Sequence, residues 1–276
     1  MEAKKILLLP LLLALTITAV GCHKEAKISE EELTERVVAA ATGIETYQFD
    51  MDMVVDMSIE MEDEEKETTH SSRKGTGLVD IINKKMKFER SSEAELPPEG
   101  AISRSSEETY LVGDVMYTKQ TISGMPSGWR KLELPEFASP WNMYYELEPQ
   151  IELLKASEIK KIDTGKLNGI RCYVVKLEPN LEKLWEVTRS YEEDQKPLDL
   201  EKAFARVSVK QWFAEDSFLL IRVQMEMTIA WSSDDAPEEV IVIGEFEMVC
   251  SIETVFHHYN EPVSIELPPE AESAAE

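Results

Sequence analysis

Cysteine is scarce in this chain, with three in 276 residues (Cys22, Cys172 and Cys250), and no pair is spaced as CxxC. The four histidines (His23, His70, His257 and His258) fall into no ligand pattern with them, so neither a structural zinc site nor any other metal centre is expected. His257 and His258 are adjacent on an expected strand, which would send them to opposite faces. Glycine is also sparse, at 11 residues, and no phosphate-cradling glycine loop, GxSxG or HExxH occurs. A Ser/His/Asp set chosen from so acidic a chain would be arbitrary, so the expectation is no catalytic residue, no cofactor and no enzyme. Positive charge is short as well: 29 Lys+Arg against 54 Asp+Glu leave a net charge of −25. Such a surface repels nucleic acid and anionic headgroups, which excludes a nucleic-acid role and broad electrostatic docking on lipid.

Long apolar runs are missing except at the start. Lys4 and Lys5 precede "ILLLPLLLALTITAV", which is short for a membrane span and fits the apolar region of a signal peptide, so the chain is expected to be exported. The run ends in "TAVGC", where Ala19 and Gly21 frame a cleavage point before Cys22. This resembles the lipobox of bacterial-type lipoproteins, with Ala19 standing where the family usually carries leucine. The resemblance implies removal of residues 1–21 and lipidation of Cys22, with residues 22–28 as a tether holding the protein to the extracytoplasmic face of the membrane. Ordinary cleavage at the same bond would instead leave it secreted. The expected domain is 29–270, followed by a disordered tail, 271–276.

The folded part opens with "SEEELTERVVAAATG" (29–43), a helix with Ser29 as N-cap, Glu32 three residues later, and Leu33, Val37, Val38, Ala40, Ala41 and Ile44 on one face. "YQFDMDMVVDMSIEM" (47–61) then alternates: every odd position is apolar, and every even one but Val54 is polar. That is a long strand with one wet and one dry face. Asp50 and Asp52 belong to its wet face. Hairpin signals follow at Asn83-Lys84, Gly113-Asp114 and Asn168-Gly169. The acidic stretch 62–74 and the Pro/Ser/Glu-rich 91–106 read as loops. Helical spacing recurs at 141–157 and 180–194. Further strands are expected at 205–215, at 218–231 (Leu219, Ile221, Val223, Met225, Met227 and Ile229 on one face) and at 240–259 (Val240, Val242, Phe246, Met248, Cys250 and Ile252). Roughly ten such strands with two or three helices predict a mainly β (α+β) fold built on a single large curved antiparallel sheet.

This element order resembles the LolA-like and LppX/LprG-like half-barrel lipoproteins. The ending "HYNEPVSIELPPEA" (258–271) resembles that family's, and "ETYLVGDVMYTKQ" with "GWRKLEL" resembles its central hairpin and the strand after it. The resemblance implies a half-barrel whose concave face the helices cover, and a hydrophobic ligand, a lipid or lipid-linked molecule, held in an apolar cavity between the sheet and the helices at 29–43 and 141–157. The apolar positions facing that space are Leu33, Val37, Val38, Phe49, Met51, Met53, Val55, Met57, Ile221, Val223, Met225, Met227, Phe246 and Met248. Methionine fills irregular cores, and it also lines surfaces that repack around variable ligands. The alternative is a filled half-barrel acting as an envelope sensor or interaction module, meeting a partner protein through its sheet edge or the stretches 62–74 and 91–106. Cys172 and Cys250 are open to a disulfide or to two free thiols, and a monomer is expected.

Overall fold

A computed structural model describes residues 24–25, 27–61, 66–96, 100–134, 147–182, 184, 204–232 and 244–274. The proposed leader, Cys22 and most of the 180–194 segment lie outside these residues. The chain builds β1 (Lys24–Glu25), α1 (Glu30–Ala41), β2 (Thr46–Glu60), β3 (Glu67–Asp80), β4 (Lys85–Leu96), β5 (Ala101–Val112), β6 (Val115–Ile122), β7 (Met125–Pro126), β8 (Arg130–Glu133), α2 (Leu147–Ala156), β9 (Glu158–Leu167), β10 (Ile170–Glu178), β11 (Phe204–Ala214), β12 (Leu220–Ser232), β13 (Glu245–His257) and α3 (Pro269–Glu272). All thirteen strands join one open antiparallel sheet in the order β1-β9-β10-β11-β12-β13-β2-β3-β4-β5-β6-β7, with β8 also pairing β6. The single large antiparallel sheet expected from the alternation is observed, and its open form is that of the half-barrel the resemblance implied.

Strand β2 is the hinge of this topology. It pairs with β3, its neighbour in sequence, and with β13, close to the far end of the chain, over almost its whole length. The sheet therefore has two halves that meet at β2, one built from β3 to β8 and one from β9 to β13 with β1 on its edge.

Helix α1 is capped as its sequence dictates, with the Glu32 amide donating to Ser29 Oγ at 3.1 Å and the Glu32 carboxylate pairing with Arg36 at 2.7 Å. Its Leu33 and Val37 are fully buried against Tyr47 and Phe49 of β2, Val79 of β3 and the α2 residues Leu153 and Leu154. Each such side chain contributes about 1.5–3 kcal/mol by leaving water. At the mouth of the α1–β2 turn Asn260 acts as a clamp. Its Oδ1 accepts from the Glu45 amide at 2.7 Å, its Nδ2 donates to the Gly43 carbonyl at 3.1 Å, and its own amide donates to the Thr46 carbonyl at 2.8 Å. The chain's end is thus stitched to its beginning.

Asn83-Lys84, Gly113-Asp114 and Asn168-Gly169 form turns, and Lys84, Gly113, Asn168 and Gly169 adopt the left-handed φ such turns need. One other expectation is corrected. The stretches 62–74 and 91–106 are strand for much of their length: β3 begins at Glu67, and β4 and β5 run through the Ser/Glu-rich sequence to within a few residues of each other. Composition misleads there because those strands meet water on both faces, so polar residues carry no penalty. Cross-strand pairs such as Ser92–Ser105 (2.6 Å) and Arg104–Glu93 (2.6 Å) hold them in register. The tether is partly pinned, Lys24 and Glu25 pairing with β9. The tail begins as a helical turn, and Ala271 is fully buried.

Candidate functional site

Register defines what shares the inner face of the sheet. Starting from β2 and reading across, Tyr47 lies in a row with Val79, Met86 and Leu111, and Phe49 in a row with Gly77, Phe88 and, across β13, Phe256. These two rows form the floor under α1 and α2. Glycine at 77 is required by close approach, because a β-carbon there would sit 2.1 Å from the Phe49 ring. Gly75 likewise leaves room for the Phe88 ring, 2.7 Å from where a β-carbon would stand. The rings of Phe49 and Phe88 stack with centroids 5.8 Å apart, laid flat along the bare backbone.

Beyond this aromatic floor the rows change character. Met51, Met53, Val55 and Met57 of β2 continue along the inner face, opposite Thr254, Ile252, Cys250 and Met248 of β13. All four β2 side chains, with Ile252 and Met248, are only half-buried, whereas Tyr47 and Phe49 are closed off from water. Farther into the same half, Met225, Met227, Val223 and Val209 are buried. From Met51 to Met57 the strand rises roughly 20 Å, the length of an extended long acyl chain.

The fourteen expected lining residues therefore divide. Leu33, Val37 and Phe49 are core beneath the helices, and Val223, Met225 and Met227 are buried under the far half of the sheet. Val38 borders a cleft between α1 and α2 of about 390 Å³, floored by Ala41, Ile81, Leu147 and Ile151 and rimmed by Lys84, Glu148, Glu152 and Lys155. Met51, Met53, Val55, Met57, Phe246 and Met248 form the half-open strip. Ile221 leaves the series: a bulge between Trp212 and Phe213 shifts the pairing of β12, so that Leu220, fully buried, takes the inward place opposite Phe213. The space between sheet and helices is thus packed where α1 and α2 lie, and the open apolar surface is farther along β2.

Beyond the floor, on the other side of β2, the inner face is polar; sequence reasoning misses its Arg73, Ser92 and Ser105 because 62–74 and 91–106 read as loops. Arg73 stands directly opposite Met53, and Ser92 and Ser105 continue its row. In the next row, after Met51 and Gly75, come Arg90, Glu107 and Gln120. Arg90 donates to Glu107 at 2.7 Å, and Gln120 and Thr109 each donate to it at 3.0 Å. Burial works to raise the Glu107 carboxyl, but the Gln120 hydrogen bond, the Arg90 charge and the Thr109 hydroxyl outweigh it and hold it below the usual carboxylate value. Beyond the aromatic floor the concave surface is consequently two-toned, apolar along β2 and β13 and hydrophilic from β3 through β6.

A hollow of about 740 Å³ has a different lining. Asp50, Asp52, Lys74, Thr76, Glu89, Glu108 and Lys119 place most of it on the opposite, wet face, with Met51, Arg90 and Glu107 also bordering it. Cys172 and Cys250 are both free and buried, on strands separated by β11 and β12, which settles their open alternative. His257 and His258 do not diverge. The strand ends at His257, His258 takes a left-handed φ of 53°, and the two rings meet edge to face at 4.8 Å. Among the described residues no cluster of three metal-ligating side chains occurs, and no helix is long and apolar enough to cross a membrane.

A family model described as "Family of unknown function (DUF6612)" matches residues 29–276. Among curated proteins no relative matches. Solved structures similar to the chain include a DUF1329 family protein from Desulfovibrio piger, 10% identical over 86% of this chain and 94% of that one with a TM-score of 0.25. A LolA superfamily protein from Nitrosomonas europaea is 7% identical over 87% of this chain and 96% of its own, with a TM-score of 0.20. Neisserial surface protein A is 5% identical over 75% and 96%, with a TM-score of 0.22. Likenesses this distant supply no functional residue, and the site rests on the sheet's own geometry.

Proposed function

The chain belongs to DUF6612, a family of unknown function, and on the geometry above we propose that it is a membrane-anchored extracytoplasmic lipoprotein that binds the hydrophobic part of a lipid on the concave face of its half-barrel. The observation that carries this reading is the half-open strip of Met51, Met53, Val55 and Met57, continued across β13 by Ile252 and Met248. A core would close these side chains off, as it does Tyr47 and Phe49 on the same strand. Unbranched methionines on a curved surface repack around chains of different length and saturation at little cost. Affinity would come from burying apolar area at ~25 cal/mol per Å², with no bond made or broken, so the role is carriage or transfer rather than catalysis.

Anchoring through Cys22 supplies what the surface charge withholds. At −25 the chain does not settle on anionic membranes unaided, whereas acylation of Cys22 would keep it within reach of its ligand. Labelling of cells with radioactive palmitate checks this part: label in the wild-type chain that Cys22→Ser abolishes supports it, and an unlabelled wild-type chain refutes it.

Native mass spectrometry of the full chain released from detergent micelles tests the ligand. Collisional activation strips a bound lipid and leaves a covalent one in place. Near-stoichiometric lipid lost on activation supports carriage, whereas a chain that stays bare after incubation with mixed lipids favours the sensor or interaction module.

A further inference from the structure

The border between the two tones of the concave face runs between β2 and β3, and one residue on it has no partner of its own kind. Register puts Arg73 on the inner face beside Met53 and Ser92. Its charge reaches across β2: the Cys250 thiol, on the inner face of β13, is pushed up by burial and drawn part of the way back by Arg73. Yet Arg73 is exposed, and no carboxylate lies within ion-pair distance of it among the described residues. Arg90, the neighbouring inner-face arginine, is engaged by Glu107. Lys74, next along the chain but on the wet face, is paired with Asp52 at 3.0 Å.

Arg73 is set apart by its position, since it stands open directly beside Met53 of the methionine strip. It stands where an amphiphile lying along the methionine strip would leave the apolar surface. The hydroxyls of Ser92 and Ser105, 2.6 Å apart, continue its row and offer further hydrogen bonds. A guanidinium is suited to this place because its planar fork meets phosphate and carboxylate oxygens two at a time.

We propose that the ligand is an amphiphile with an anionic headgroup, its acyl chain along Met51, Met53 and Met57 and its headgroup on Arg73. This rests on the lipid-binding reading and adds the class of lipid. The two tones of the face then have one explanation. The apolar half shelters the chain, Arg73 at the border reads the charge, and the Ser/Thr-lined strands beyond keep the headgroup hydrated. The acidic exterior repels anionic lipid everywhere else, which confines it to this one face.

The test compares two probes with the same acyl chain, lysophosphatidylglycerol and the neutral monoacylglycerol, titrated against the full chain and read by native mass spectrometry. The anionic probe is expected to bind about fivefold more tightly than the neutral one, the upper range for a partly exposed ion pair, with the gap narrowing as salt is raised. Arg73→Gln should erase the gap and leave monoacylglycerol affinity unchanged, which also reports that the variant is folded. Equal affinity of the wild type for the two probes overturns the headgroup assignment and leaves lipid binding standing. So does an Arg73→Gln variant that loses both probes alike, since Arg73 would then be structural. Inorganic phosphate offered alone is expected to leave no adduct, and an adduct that Arg73→Gln removes would make this a plain anion site and refute the proposal. Binding of neither probe refutes the lipid-carrier reading and this inference together.

Discussion

Val37 and Met53 are both apolar, both face the interior by sequence pattern, and a carboxylate placed at each separates core from ligand surface. Val37 is 1% exposed, on the face of α1 that meets the aromatic floor. Val37→Asp forfeits about 1.5–2 kcal/mol of burial and strands an unpaired charge at a further cost of several kcal/mol. The sum, about 4 kcal/mol or more, is a large part of the roughly 5–15 kcal/mol that holds a domain together. Met53 is half-buried, and across the ladder stands Arg73. Met53→Asp loses about 1 kcal/mol of burial and regains part of it from an opposite-charge cross-strand pair, worth about 0.2–1 kcal/mol. The expected net change in stability is within about 1 kcal/mol. Urea titrations followed by tryptophan fluorescence measure both variants, and native mass spectrometry reads the lipid each retains. Val37→Asp should unfold at much lower urea, whereas Met53→Asp should melt near the wild type and be stripped of lipid. Met53→Ser controls for the pairing with Arg73 and should also lose lipid, at a cost of only about 1 kcal/mol of burial. If Met53→Asp is as destabilised as Val37→Asp, the strip is ordinary core and the reasoning that made it a site is refuted.

Other perturbations test the architecture. Asn260→Ala removes bonds to Glu45 and Gly43 and should cost about 1–2 kcal/mol in the same urea assay; an unchanged midpoint would show that the clamp is idle. Gly77→Ala drives a methyl to within 2.1 Å of the Phe49 ring and should cost about 1–3 kcal/mol through overpacking, whereas a neutral outcome would mean that the ring does not lie on the strand. The Glu107 carboxyl is held below its ordinary 4.5 in the fold, so its contribution is present above that value and fades as pH falls through the folded pKa. Glu107→Gln should lower the urea midpoint at pH 7, and the difference should shrink as pH is taken below 4.5; a difference that stays constant on acidification would disprove the linkage. Both buried thiols, Cys172 and Cys250, are pushed up by burial and should resist a thiol reagent until urea is added. Rapid labelling of the native protein, or a disulfide-linked species on a non-reducing gel, would contradict their placement.

Much of this molecule is written in periodicity alone. Alternation from Tyr47 to Met61 predicts β2, its length and its dry face, and Asn168-Gly169 and Gly113-Asp114 announce their hairpins because few residues tolerate the left-handed φ such turns need. Ser29 and the spacing of Leu33 and Val37 set α1 in the same way. Such signals are local, each needing only its own neighbours. What the sequence could not decide is which dry residues end up dry. Phe49 and Met51 are consecutive members of one face, yet one is sealed and the other half-open, a difference set by what packs over each and not by any local pattern. The place of Ile221 turned on a bulge in its own strand, visible only in the pairing with β11. Arg73 gave no signal either, since a polar strand with water on both faces carries no alternation to detect. It takes the ladder between β2 and β3 to bring a charge from one segment beside a methionine from another, and that contact, made across twenty residues of chain by backbone hydrogen bonds, is where the proposed function resides.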